Sequence, residues 1–204
     1  MHVVFIEPRF PGNQKLFVKG LAEIGATITA IGEGSKSSLD DELRSWLTHY
    51  EEVTNVTDEE QLLRALRFVQ GVKAVDRIEA TIEAHIMPVA RVREAAGIPG
   101  TSVRTAYLCR DKPAMKEVLR AGGVPCARSI GASTVAEVRA FAEEVGFPLI
   151  LKPRAGAGAS GATRVDDNAG LEAALGTFGN QSIAVEEFVE GHEGFYDTLT
   201  IKGQ

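Results

Sequence analysis

A lysine at the end of an apolar run, followed by a stretch of small residues, is the most chemically suggestive feature of this 204-residue chain. The segment reads Leu151-Lys152-Pro153-Arg154-Ala155-Gly156-Ala157-Gly158-Ala159-Ser160-Gly161. Glycines let backbone N–H groups approach oxyanions, Ser160 adds a hydroxyl donor and Lys152 a point charge, so the segment suits a polyphosphate. It is not a Walker A loop, because no Gly-Lys-Ser/Thr opens a helix. A solvent loop is the plain alternative. In Arg110-Asp111-Lys112-Pro113, Asp111 suits a helix cap and Pro113 a first turn. Lys112 would then stand at a helix N-terminus, which favours anions; the alternative is a solvated surface lysine. The third feature is Ala184-Val185-Glu186-Glu187-Phe188-Val189-Glu190-Gly191-His192-Glu193, where two adjacent carboxylates interrupt an apolar run. In a strand they point to opposite sides, so at least one faces the interior or a cleft and needs a partner there. An adenine amino group and a structural arginine both answer that need.

These residues require strands and helices to hold them. Residues 3–6 form a bounded apolar run, and residues 13–24 have helical periodicity through Leu16, Phe17, Gly20, Leu21 and Ile24. Residues 26–31 read as a second strand, 39–47 as a helix, 52–56 as a third strand, and 58–70 as a helix with Asp58 at its cap. A fourth strand is predicted over 72–75 and a long helix over 80–96, with Pro88 a source of a kink. Such alternation implies an α/β fold with a parallel sheet covered on both faces. The style changes after Gly97-Ile98-Pro99-Gly100. Helices are predicted over 112–121 and from Ser133 or Thr134 to 145, with a further one near 169–175. Strands are predicted over 124–129, 149–152, 163–165 and 183–189. Two units follow, 1–104 and 105–204. Residues 193–202 alternate as a final strand that stops without the hairpin partner it needs, which reads as a truncated edge.

Taken together, Arg-Asp-Lys, then strand-Lys-Pro with a glycine-rich loop, then Glu-Glu-Phe-Val-x-Gly-x-Glu resemble the ATP-grasp superfamily. The pattern is most similar to its carboxylate–amine and L-amino-acid ligases, with biotin carboxylase and carbamoyl-phosphate synthase as relatives. Residues 96–100 and 121–125 also resemble the family pattern. The resemblance implies a Rossmann-like pre-ATP-grasp domain over 1–104 and the first, lid-like α+β subdomain of an ATP-grasp domain over 105–204. It implies ATP as the bound nucleotide, with Lys112 and Lys152 on its phosphates. Gly156, Gly158, Ser160 and Gly161 match the loop that closes over those phosphates. Glu186 matches the acid beside the adenine amino group, Glu187 and Val189 the hinge whose backbone meets the base, and Glu193 the acid on the ribose. Phe188 is expected to be packing. The family's magnesium ligands and catalytic arginine sit in a later subdomain, so magnesium is expected in a full-length parent. The 204-residue chain alone is expected to bind ATP at most weakly and not to turn over; catalytic residues are not assigned.

Composition sets the remaining bounds. A net charge of −6 argues against a general nucleic-acid binder, which needs a basic surface. Apolar residues at 44% and charged residues at 25% fit an ordinary globular chain. No basic leader or apolar run of about 20 residues is visible, so a cytoplasmic protein without membrane contact is expected. Cys109 and Cys126 lack metal-ligand spacing, as do His2, His49, His85 and His192, and reduced thiols are expected. Glu79 follows the fourth predicted strand, where parallel sheets receive ligands; capping or solvation is its alternative. Trp46 reads as core or edge cover. The partners expected are ATP and small carboxylate and amine substrates, with the helix around 82–92 a surface for a homodimer. Two other classes compete. A Rossmann oxidoreductase lacks Gly-x-Gly-x-x-Gly at Glu7-Pro8-Arg9-Phe10-Pro11-Gly12-Asn13, although Glu33 ends the second strand. A non-catalytic nucleotide-binding module shares every binding feature above.

Overall fold

β-branched residues at the start of the chain can bury both sides of a strand, and they do so in a parallel sheet. In the computed structural model, which describes residues 1–154, 161–178, 182–192, 194, 196 and 198, the chain divides into Met1–Asp111 and Lys112–Gln204. The first unit runs β1 (His2–Ile6), α1 (Lys15–Glu23), β2 (Thr27–Glu33), α2 (Asp41–Trp46), β3 (His49–Val53), α3 (Glu59–Val72), β4 (Arg77–Glu79), α4 (Glu83–Ala95) and α5 (Val103–Arg110). Its strands pair in the order β3-β2-β1-β4, all parallel. Successive side chains take opposite faces. Phe5, Ile28 and Ala30 therefore meet Val18, Leu43 and Leu47 on one side, while Val4, Ile6 and Ile31 meet Leu62, Leu66 and Val89 on the other. Trp46 packs against the first of these clusters.

The second unit runs α6 (Lys112–Ala121), β5 (Ser129–Ala132), α7 (Val135–Val145), β6 (Leu149–Pro153), β7 (Thr163–Val165), α8 (Asn168–Phe178) and β8 (Ile183–Glu187). Its sheet has the order β5-β8-β6-β7 and every pairing is antiparallel. Leu149, Leu151, Ile183 and Val185 share one face with Val138, Phe141 and Ala142 of α7 and Leu171, Ala174 and Leu175 of α8. Alternation then sends Ile150, Lys152, Ala184 and Glu186 to the opposite face. A capping box opens α7: Thr134 accepts from the Glu137 amide, and the Glu137 carboxylate accepts from the Thr134 amide. Gly146 ends that helix at φ 82°, a conformation few other residues adopt without strain.

Four elements differ from expectation. The third strand lies at 49–53 rather than 52–56, because Tyr50 and Val53 are its inward positions and Val56 belongs to the following turn. The fourth lies at 77–79 rather than 72–75: α3 continues through Gly71 to Val72, and Ile78 alone fills the buried slot opposite Val4. The strand expected over 124–129 begins only at Ser129. Helix α5, which no periodicity marked, occupies 103–110 behind a Ser102 cap whose hydroxyl accepts from the Thr105 amide. Pro88 sits inside α4, which holds its helical assignment from 83 to 95. Most of the alternating stretch 193–202 lies outside the described residues; Gly194, Tyr196 and Thr198 are not in a strand. Among the described residues, no helix is long and apolar enough to cross a membrane.

Candidate functional site

Because β8 lies between β5 and β6, Glu186 stands opposite Ser129 on one side and Ile150 on the other. Lys152 is its diagonal neighbour two residues along β6, within reach of a long side chain. The Lys152 ammonium donates to Glu186 Oε2 at 2.7 Å. A second ammonium, that of Lys116 on α6, lies 2.8 Å from the same oxygen. The carboxylate is buried, with 9% of its side chain exposed, and its Oε1 has no hydrogen-bond partner among the described residues. Burial pushes this carboxyl up, but the two ammonium groups outweigh burial and hold it below the ordinary glutamate range. The sequence reading offered an adenine amino group or an arginine as the partner of a buried carboxylate. In this structure lysines take that role.

Helix α6 brings its lysine there through a consistent face. Pro113, Lys116 and Arg120 fall three or four residues apart and therefore on one side of the helix. A side chain at Gly131 would come within 3.2 Å of Pro113 Cγ and 2.8 Å of the Arg154 guanidinium. Glycine in β5 is what permits this approach. Arg120 reaches Ser129, donating to its hydroxyl at 3.3 Å and its carbonyl at 3.5 Å. Lys112 is the first residue of α6, and its amide donates to the Arg154 carbonyl at 3.3 Å. That bond ties the start of the helix to the chain two residues beyond Lys152, so both predicted phosphate lysines belong to one corner of this unit.

The other predicted residues divide by position. Glu187 faces away from Glu186 and pairs with Arg128, accepting from its side chain and its amide at 2.8 Å each. Those bonds, backbone first, hold its carboxyl low. The Glu187 amide donates to the Arg128 carbonyl at 3.0 Å, so that N–H is already engaged. Val189 follows the end of β8 and is exposed. Phe188 lies under the Arg164 guanidinium, 4.2 Å from the ring centre, which is a packing role. Gly161 has φ 74°, where glycine is favoured. Gly156, Gly158, Ser160 and Glu193 lie outside the described residues. Lys116 was missed by sequence reading, although its position four residues after Lys112 put both on one helix face.

In the first unit, Glu79 does not cap α4, which begins behind Ile82 without a side-chain cap bond, and its side chain is 44% exposed. It pairs at 2.8 Å with Arg93, a buried guanidinium that also donates to the Ile78 and Thr101 carbonyls. Glu83 pairs with Arg110. These four residues help line a cavity of about 270 Å³ beside β4 and α4. In the stretch around 82–92 expected at a dimer surface, Val89, Ala90 and Val92 are buried within this unit and Ile86 and Met87 are half-buried. Among the described residues, no group of three or more histidines, cysteines or acids could hold a metal ion.

Residues 111–195 match the family model described as the carbamoyl-phosphate synthase L chain, ATP binding domain. The chain belongs to the ATP-grasp superfamily. The match begins at Asp111, beside Lys112, and runs past Glu186. Alanine–anticapsin ligase of Bacillus subtilis is 30% identical over 167 residues, covering 71% of this chain and 35% of that protein. The L-arginine-specific L-amino acid ligase of B. subtilis is 30% identical over 167 residues, covering 78% of this chain and 40% of that protein. The crystal structure of an L-amino acid ligase from Bacillus licheniformis superposes with a TM-score of 0.71 at 22% identity, over 93% of this chain and 44% of its own; at that identity the likeness concerns the fold. The ATP-grasp chain thus spans well under half the length of these relatives.

Proposed function

We propose that this ATP-grasp chain supplies the base, ribose and phosphate side of the ATP site in a carboxylate–amine ligase, an amino-acid ligase working through an acyl phosphate. The observation that carries the reading is Glu186: a buried carboxylate bound by two lysines on one oxygen, with its other oxygen awaiting a donor. The adenine amino group is such a donor. Lys112 and Lys152 neutralise phosphate charge; Gly156, Gly158, Ser160 and Gly161 close over the phosphates. Glu187 and Val189 meet the base through their backbone, and Glu193 meets the ribose. Residues 1–104 form the pre-ATP-grasp domain in this reading and 105–204 the ATP-grasp N-terminal subdomain.

In the reaction, a substrate carboxylate oxygen attacks the γ-phosphorus and the bond to the β–γ bridging oxygen breaks, giving an acyl phosphate and ADP. An amine then adds at the acyl carbon, phosphate leaves, and the amine proton is lost as the amide forms. Positive charge on the transferring group stabilises the first step. Magnesium would take its ligands from outside the described residues. We place the small carboxylate or amine substrate in the cavity beside β4, whose wall carries Glu83 and Arg110 as well as Glu79 and Arg93. A cytoplasmic location, where ATP is consumed, and a homodimer belong to the same reading. Calorimetric titration of ATP tests it: Lys152→Ala should weaken binding about tenfold or more, or about 1.4 kcal/mol. Equal affinity would refute the phosphate assignment, and release of AMP and pyrophosphate by the whole enzyme would refute the reaction class.

A further inference from the structure

We infer that Lys116 is a positioning residue for base selection: it keeps Glu186 ionised and turned so that Oε1 faces the base, leaving Lys152 free to follow the phosphates. This rests on the reading of Glu186 as the acceptor for the base. Both ammonium groups converge on Oε2, at 2.8 Å for Lys116 and 2.7 Å for Lys152, while Oε1 is buried and, among the described residues, unpartnered. The two lysines are not equivalent. Lys116 is in mid-helix with Pro113 against Gly131 on one side and Arg120 on Ser129 on the other, and its side chain is 13% exposed. Lys152 is 22% exposed and lies one residue before β6 ends. Two positive charges against one negative leave a surplus that an incoming polyphosphate can draw away. If Lys152 moves to phosphate, Glu186 keeps Lys116 and is never a buried ion without a counter-ion, a state proteins avoid.

The consequence is a preference among bases. An ionised carboxylate only accepts hydrogen bonds. Adenine offers an amino group to it, whereas hypoxanthine places a carbonyl oxygen there and two acceptors repel. Protonation of Glu186 would erase that difference. Among the described residues, the charged groups that bear on Glu186 are Lys116 from α6 and Lys152 from β6; β5 contributes uncharged Ser129 opposite it, on which Arg120 of α6 is held, and Arg128 is committed to Glu187 on the other face. Without Lys116, burial acts against a single ammonium and the carboxyl titrates higher.

The test compares dissociation constants for ATP, ITP and inorganic tripolyphosphate between about pH 5 and 8, a range that spans the titration of a raised glutamate. Wild type should prefer ATP throughout. In Lys116→Met the preference should fall about tenfold and recover as pH rises, with tripolyphosphate affinity changed no more than about threefold. Lys116→Arg should restore the preference, since the charge is kept. Glu186→Gln should accept ITP with no pH dependence, which keeps the test open if the methionine variant does not fold. An unchanged, pH-independent preference in Lys116→Met overturns the inference, as does an equal loss of all three ligands. Failure of wild type to bind ATP would instead overturn the ATP-site reading beneath it.

Discussion

Glu186 shows how a single buried side chain ties stability to pH. Its carboxyl titrates lower in the folded chain than in the unfolded one because Lys116 and Lys152 outweigh burial. A depressed pKa contributes stability above the unfolded value, about 4.3 for glutamate, and that contribution is lost as pH falls through the folded value. Glu186→Gln should therefore lower unfolding stability near neutral pH by roughly 3 kcal/mol, the cost of leaving buried charge unpaired. The gap between variant and wild type should narrow below about pH 4. Urea titrations across that range check it; a constant gap would mean that the ion pair is not its origin. This part of the site was legible beforehand, because an acid in an apolar strand breaks the pattern that burial imposes. Lys116 was not, since a lysine on an amphipathic helix looks like any solvated one until its partner strand is placed.

At the scale of elements, legibility followed the strength of local signals. Helix α7 carries its own start and stop, Thr134 with Glu137 and then Gly146, and its expected bounds agree with the observed ones. Backbone bonds from Ser133 and Thr134, followed by the Thr134 side chain, hold the exposed Glu137 carboxyl low. Thr134→Ala should cost about 1 kcal/mol in chemical denaturation, as loss of an N-cap usually does. No change would show that the box is dispensable. The short strands β3 and β4 were misplaced for the opposite reason. Each is at an edge of the parallel sheet, where few inward positions exist and charged residues such as Glu52 and Arg77 are tolerated. Pairing with β2 and β1 decides where they lie, and that information is not local. Helix α5 has a cap but only one buried residue, Ala106, so no apolar stripe announced it.

The whole chain holds two separate sets of cores, one built on a parallel sheet and the other on an antiparallel one. A cavity left in one core should be felt there first. Leu66 is fully buried among Ile31, Leu62, Ile78 and Val89, and Leu66→Ala should destabilise the first unit by about 2–5 kcal/mol. Hydrogen exchange read by mass spectrometry should then rise in β1, β2 and α3 while the β6 and β8 amides keep their protection. Equal acceleration in both units would show that they unfold together. The sequence style changes after Gly100, and the contacts divide the chain after Asp111. What local sequence could not convey was how closely loop and helix meet: a side chain at Gly100 would lie 2.7 Å from the Arg93 side chain that closes the first unit's cavity.

The placement of β8 has a bearing on how this site can change over time. Val185 and Glu186 are neighbours in sequence, yet one belongs to the oil of the core and the other to the charged face. Deleting one residue just before them would drive the Glu186 carboxylate into the leucines, and inserting one would put Val185 between the two ammonium groups. No halfway state softens either shift, because β8 is fastened on both sides, by β5 and β6. A change in the length of this strand therefore disturbs both of its faces at once, whereas a single substitution disturbs one.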